Sequence, residues 1–140
     1  MADYPVIVAG PSHDADGVRL RRGGCSCGAV RFTLRGEPRV VGLCHCLGCR
    51  KATGGVAMPF ADWPLAAMAA TGETRSFLGR SFCPACGSRL FNLSPDRVEI
   101  MLGALDEAPG DLAPTQEGWV IRREAWLAPI AGARQSPRDP

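Results

Sequence analysis

All seven cysteines of the chain lie in three short clusters. The central cluster runs from Cys44 to Cys49 and places three thiols within six residues. One pair precedes it, Cys25 with Cys27, and one pair follows it, Cys83 with Cys86. Ligands one to three residues apart can turn inward from one tight loop, which is the arrangement that tetrahedral coordination by thiolates needs. The spacing therefore predicts two zinc ions.

The outer pairs predict a closed, structural zinc site. The segment from Cys83 to Gly87 resembles half of a zinc ribbon, in which proline shapes the loop and glycine lets backbone amides approach the sulfurs. Such a half needs one more pair of ligands, and Cys25 with Cys27 supplies it. The resulting four-thiolate site would join the amino-terminal third of the chain to its middle.

The central cluster predicts an open, catalytic zinc site. Cys44, Cys46 and Cys49 have no obvious fourth ligand in the remaining sequence, and three protein ligands with an open position are typical of catalytic zinc. His45 is an alternative fourth ligand, but neighbouring side chains of an extended loop point in opposite directions, which favours a solvated or supporting role. Three thiolates make a soft site that suits a substrate thiol, which would attack a small electrophile or leave in the reverse reaction. A second alternative is that the ion only holds the loop.

Composition and charge restrict the class of protein. With 140 residues, 46% of them hydrophobic, we expect one domain with a real core. The 17 glycines and 12 prolines favour a mainly β fold of short strands joined by turns. A net charge of +2 without a long basic run predicts no nucleic-acid partner, and no apolar run predicts a signal peptide or a membrane span. An odd number of clustered cysteines favours metal thiolates in the cytoplasm over disulfides.

Alternation of apolar and polar residues predicts the strands that position these clusters. Residues 29–35 alternate as a half-buried strand does. Residues 39–43, with the β-branched Val40 and Val41, predict a second strand that leads directly into Cys44. Residues 89–93 and 97–102 predict a hairpin, and residues 119–121 predict a last strand. We expect a zinc-binding domain over residues 18–130, a flexible arm over 1–17 and a disordered tail over 131–140.

Four segments resemble the glutathione-dependent formaldehyde-activating enzyme family, which also includes centromere protein V. They are Gly23-Gly-Cys-Ser-Cys-Gly-Ala-Val-Arg-Phe32, Cys44-His-Cys-Leu-Gly-Cys-Arg-Lys51, Phe82-Cys-Pro-Ala-Cys-Gly-Ser-Arg-Leu90 and Gly103-Ala-Leu-Asp106. The resemblance implies a small β-tent of stacked antiparallel sheets with few helical turns and two zinc ions. It assigns the structural ion to the two outer cysteine pairs and the catalytic ion to the central three. The family's named reaction adds glutathione to formaldehyde to give S-hydroxymethylglutathione, which is carbon–sulfur lyase chemistry.

Three further residues bear on the expected substrate. Arg50 and Lys51 follow the central cysteines and are candidates to pair with the carboxylates of a glutathione-like thiol. The alternative is that they lie on a solvated helix face. Many bacterial relatives carry a Pro-x-x-His-Ile motif near the end, whereas Glu117 stands at the histidine position here.

The sequence leaves two hypotheses for the function. The first is a zinc-dependent lyase acting on a thiol adduct of an aldehyde, and the second is a non-catalytic binding module stabilised by zinc.

Overall fold

The computed structural model of the chain describes residues 5–140 and is mainly β. Its strands are β1 (Leu20–Gly24), β2 (Arg31–Arg35), β3 (Val40–Cys44), β4 (Met58–Pro64), β5 (Met68–Thr71), β6 (Arg75–Phe77), β7 (Arg80–Phe82), β8 (Arg89–Leu93), β9 (Arg97–Met101), β10 (Gln116–Gly118) and β11 (Arg134–Gln135). The helical elements are the α-helix α1 (Leu47–Thr53) and short 3-10 turns at Leu65–Ala67, Leu102–Ala104 and Val120–Arg122. None of the helices within residues 5–140 has both the length and the apolar character needed to span a bilayer.

The strands form two open sheets. The smaller sheet has the order β1-β2-β5 and is antiparallel throughout. The larger sheet has the order β11-β10-β3-β4-β9-β8-β7-β6, and its strands are antiparallel except that β10 runs parallel to both β3 and β11. The structure thus confirms the predicted mainly β fold with few helical turns.

The core lies between the two sheets, and on β2 it follows from the alternation of buried and exposed side chains. On β2, Phe32 and Leu34 are buried while the residues between and beside them are partly exposed. Phe32 packs edge-on against Phe91 of β8, with ring centroids 6.0 Å apart. Trp63 of β4 is fully buried and donates its indole N–H to the Gly36 carbonyl oxygen at 3.0 Å. Burying each of these side chains stabilises the fold by about 1.5–3 kcal/mol.

The face of the larger sheet that points away from the core lines a cavity. Successive side chains of a strand point to opposite faces, so Phe60 and Asp62 on β4 face away from the core that Ala61 and Trp63 enter. Glu99 on β9 lies directly opposite Asp62 and faces the same way. This polar face carries the candidate site.

The predicted hairpin of residues 89–93 and 97–102 is confirmed as β8 and β9, but the predicted last strand at residues 119–121 is wrong. The strand lies earlier, at Gln116–Gly118, and Trp119 leaves it with a left-handed φ of 56°. The register with β3 explains the shift, because Glu117 lies opposite Leu43 and Gly118 opposite Cys44. Periodicity could not place a strand whose buried residue is a glutamate.

Described residues near both termini form hydrogen bonds with the rest of the fold. The tail predicted to be disordered over residues 131–140 instead contains β11. The backbone N–H of Trp119 donates to the Arg138 carbonyl oxygen at 2.9 Å. Residues 1–4 of the predicted arm lie outside the described residues. Farther along the arm, Val6 N–H donates to the Ser26 carbonyl oxygen at 3.1 Å, and Leu20 N–H to that of Ser12 at 2.7 Å. The bounds of the zinc-binding domain stay a prediction.

Candidate metal centres

The structure brings the four outer cysteines to one point. The sulfurs of Cys25, Cys27, Cys83 and Cys86 all lie within 4.8 Å of one another. Two of these separations are 3.5 Å and 3.8 Å, and the cysteines are free thiols. Four sulfurs about 2.3 Å from a zinc ion at tetrahedral angles lie roughly 3.8 Å apart. The cluster could therefore hold a zinc ion, and the donor set is one that zinc favours.

Glycines shape the two turns that present these cysteines. Gly28 and Gly87 adopt left-handed φ values of 80° and 77°, a region that favours glycine. Their N–H groups close the turns by donating to the carbonyl oxygens of Cys25 and Cys83 at 3.2 Å and 2.8 Å. The Val30 N–H then donates to the Cys25 sulfur at 3.2 Å. Such amide donors stabilise negative charge on a ligating sulfur.

A serine joins the two turns. The Ser88 hydroxyl accepts a hydrogen bond from the Ser26 N–H at 3.1 Å and lies 3.2 Å from the Cys86 sulfur. Its hydrogen bond to Cys86 lowers the pKa of that thiol to about 5. Hydrogen bonds of the protein thus join the two turns, in addition to the metal ion that the four cysteines could share.

The central three cysteines form a second cluster, with all three sulfurs within 4.8 Å of one another. Cys44 ends β3, Cys46 is the N-cap of α1 and accepts the Cys49 N–H at 3.2 Å, and Cys49 is buried in the first turn. A hydrogen bond from Cys49 lowers the pKa of the Cys44 thiol to about 6, and the same contact raises the pKa of Cys49. Within residues 5–140 no further Cys, His, Asp or Glu joins this cluster, which could hold a metal ion with an open position.

His45 points away from the sulfurs on either side of it. The side chain is fully buried, and its Nε2 lies 2.9 Å from Oε1 of Glu117, which is also fully buried. Since a carboxylate only accepts, Nε2 carries the hydrogen of this bond. The alternative in which His45 is the fourth metal ligand is therefore wrong. His45 instead anchors the cysteine loop to β10.

Glu117 is held as a carboxylate by several donors at once. Its Oε2 accepts the Ile130 N–H at 2.8 Å and the Gln135 side-chain amide at 2.7 Å, and Arg123 lies 3.4 Å away. Burial alone would raise the pKa of Glu117, but the bonds from Gln135, His45 and Ile130 outweigh it and lower the pKa to about 2. Glu117 thus has a structural role, which is to fix His45.

A cavity of about 600 Å³ opens beside the central cluster. Its walls include the three cysteines, the polar face of the larger sheet, and the chain end, where Trp119 donates to Asp139 at 2.7 Å. The charged residues that line it are Arg80, Arg97, Arg134, Asp62, Glu99 and Asp139. A cavity of this size accommodates a small molecule.

Arg80 is a lining cation that lies beside the cysteine loop. A Cβ placed on Gly48 would lie 3.0 Å from an Arg80 terminal nitrogen and 3.8 Å from the Cys46 sulfur. Among the described residues Arg80 has no ion pair, and its Nε is buried without a hydrogen-bond partner. Nothing in the sequence marked this arginine, because only the pairing of β7 with β8 brings it to the cavity.

The two cations predicted from the sequence lie elsewhere. Arg50 and Lys51 are not among the described residues that line this cavity. Arg50 lies 2.6 Å from Glu124 and donates to the carbonyl oxygens of Val56 and Arg122, while Lys51 is exposed. Their contact with a substrate carboxylate stays a prediction, and the arrangement supplies Arg80 as a better placed cation.

Comparison with known families identifies the family to which the chain is similar. The model of the family described as glutathione-dependent formaldehyde-activating enzyme matches residues 20–122. This range includes the four-cysteine cluster and the three-cysteine cluster. A search of curated proteins finds no match.

Proposed function

The chain belongs to the glutathione-dependent formaldehyde-activating enzyme family, and from this membership and the open three-cysteine site we propose that it is a zinc-dependent carbon–sulfur lyase. The substrate would be a small thiol, with glutathione as the first candidate, and the electrophile formaldehyde or a related aldehyde. Family membership supports the thiol and the aldehyde. The observation that carries the proposal is that the cluster of Cys44, Cys46 and Cys49 opens on a cavity of about 600 Å³.

The reaction forms one bond between sulfur and carbon. As the thiol adds to the aldehyde, the carbonyl π electrons move to oxygen, and the proton lost from sulfur ends on that oxygen; the reverse reaction breaks the same bond. Cys44, Cys46 and Cys49 would hold the ion. When bound, zinc supplies a position at which a thiol loses its proton and remains nucleophilic.

The residues around the cluster position and stabilise the reacting groups. Arg80 lies beside the cysteine loop without an ion pair among residues 5–140, so its guanidinium is placed to stabilise the negative oxygen that develops during addition. The buried pair of His45 and Glu117 keeps the loop in one orientation. The polar face of the larger sheet, together with Trp119 and the carboxyl-terminal residues Asp139 and Pro140, would enclose the substrate.

The test is the rate at which the protein interconverts formaldehyde and S-hydroxymethylglutathione, followed by NMR with labelled formaldehyde. Cys46→Ser should fall to the uncatalysed rate because one of three ligands is lost. Circular dichroism and a count of one remaining zinc per chain would show that this variant still folds. Wild-type turnover in a folded Cys46→Ser protein would contradict the proposal, and an inactive wild type that binds two zincs would favour the binding module.

A further inference from the structure

A row of polar side chains crosses the floor of the cavity. Asp62 on β4 lies opposite Glu99 on β9, Glu99 opposite Asn92 on β8, and Asn92 opposite Arg80 on β7. All four residues line the cavity. Neighbouring strands are about 4.8 Å apart, so the row places two adjacent carboxylates at one side of the cavity and a guanidinium at the other.

Asp62 in this row is buried and lacks a partner. The residue is 8% exposed, and among residues 5–140 its Oδ1 has no hydrogen-bond donor. Its Oδ2 has one long contact, to an Arg97 nitrogen at 3.6 Å. Leaving a buried carboxylate oxygen unpaired destabilises the folded protein, so such atoms in native proteins call for a partner.

Glu99 adds a second carboxylate beside Asp62, and the two residues together are called the acidic pair. Its Oε1 accepts a hydrogen bond from the Asn92 amide at 3.0 Å. Burial raises the pKa of Glu99, and the neighbouring charge of Asp62 raises it further. Arg97, which is half exposed, and Arg39, which is exposed, are the cations near Asp62. Two carboxylates in one partly buried place, with these exposed cations beside them, favour a cationic ligand group that donates several hydrogen bonds.

The position of this acidic pair along the sheet limits the ligand. Asp62 lies four residues along β4 from Met58, and Met58 lies opposite Cys44. At about 3.3 Å per residue the separation along the strand is roughly 13 Å. In a γ-glutamylcysteine unit the amine is about eight bonds from the sulfur, on the order of 10 Å when extended. The remaining distance of roughly 3 Å is the length of one hydrogen bond, so a thiol at the cysteine cluster can present such an amine to Asp62 and Glu99.

We propose that Asp62 and Glu99 form a subsite for a protonated amine, which selects thiols that carry an ammonium group at γ-glutamyl distance from the sulfur. The inference rests on the proposed function, since it assumes that the thiol sulfur lies at the three-cysteine cluster. It adds what that function leaves open, namely which feature of the thiol is recognised. Asp62 and Glu99 are positioning residues, because they contact the substrate far from the reacting atoms.

The test compares the affinities of two thiols for the zinc-loaded protein by isothermal titration calorimetry. The probes are glutathione and N-acetylglutathione, which differ in the charge and donors of the amine. The proteins are wild type, Asp62→Asn, Glu99→Gln and the control Asp96→Asn, an exposed aspartate in the turn between β8 and β9. A zinc count and a thermal unfolding curve check that each variant is folded.

Wild type and Asp96→Asn should bind glutathione at least about tenfold more tightly than N-acetylglutathione, the effect of one charged hydrogen bond. Asp62→Asn and Glu99→Gln should lose most of this preference while binding N-acetylglutathione as wild type does. Equal affinities in wild type, or an unchanged preference in both variants, would overturn the subsite and leave the proposed function intact. If wild type binds neither thiol, the proposed function fails and the subsite fails with it.

Discussion

Replacing Glu117 by glutamine should destabilise the protein strongly and in a pH-dependent way. The carboxylate is fully buried and is bound by His45, Gln135 and the Ile130 N–H, with Arg123 nearby. A pKa of about 2, against an ordinary value of 4.5, corresponds to about 3 kcal/mol of charge-dependent stability at neutral pH. Glutamine keeps the shape of the side chain but removes the charge.

The pH range of the effect follows from the direction of the shift. Because the pKa of Glu117 is lower in the folded protein, its contribution is complete above about pH 4.5 and is lost as the pH falls toward 2. The free energies of unfolding of wild type and Glu117→Gln should therefore differ by about 3 kcal/mol at pH 7 and converge in acid. Acid also releases zinc from both proteins, and taking the difference between them removes that common effect.

Urea unfolding followed by circular dichroism, in steps from pH 7 to pH 3, measures this difference. Glu73→Gln is the control, because Glu73 is exposed and 3.9 Å from Arg75, and it should change the stability by less than about 0.5 kcal/mol. A second readout is the affinity of the three-cysteine cluster for zinc, which should fall about 10- to 100-fold when the partner of His45 loses its charge. A pH-independent difference, or one near zero at pH 7, would refute this account of Glu117.

Three further predictions concern the metal clusters, the cavity and the core. Cys83→Ser should lose both zincs and cooperative thermal unfolding, because the four-cysteine cluster joins distant parts of the chain; retention of one zinc in a folded protein would contradict this. Arg80→Gln should lower kcat/KM about 10- to 100-fold while the exposed control Arg75→Gln does not, and equal steady-state values would remove Arg80 from the mechanism. Trp63→Ala should reduce the free energy of urea unfolding by about 3–5 kcal/mol, and a loss under 1 kcal/mol would contradict its complete burial.

The sequence predicts those features that depend on local spacing. Cysteines one to three residues apart identify both clusters, because such ligands converge from a single turn. Alternation identifies β2, where Phe32 and Leu34 enter the core, and the turn residues locate the hairpin of β8 and β9. The central three cysteines, β2 and the hairpin are each local signals of this kind, whereas the two outer cysteine pairs lie far apart in the chain and were joined by counting ligands.

The cavity depends on register between distant strands, which local spacing does not encode. Asp62, Glu99 and Arg80 are charged residues of common type, and only the pairing of four strands places them in one row. The position of Glu117 was missed for a related reason. Its strand, β10, pairs in parallel with β3 more than seventy residues earlier in the chain, and a buried glutamate breaks the apolar pattern by which strands are recognised.

The central claim is that the three-cysteine cluster is an open metal site that binds a thiol. Native mass spectrometry of the reduced, zinc-loaded protein, with and without glutathione, tests it most directly by counting zinc ions and thiol adducts per chain. The account predicts two zincs and one glutathione in wild type, and one zinc without glutathione in Cys46→Ser. One zinc in wild type, or two zincs with no uptake of glutathione, would contradict the claim.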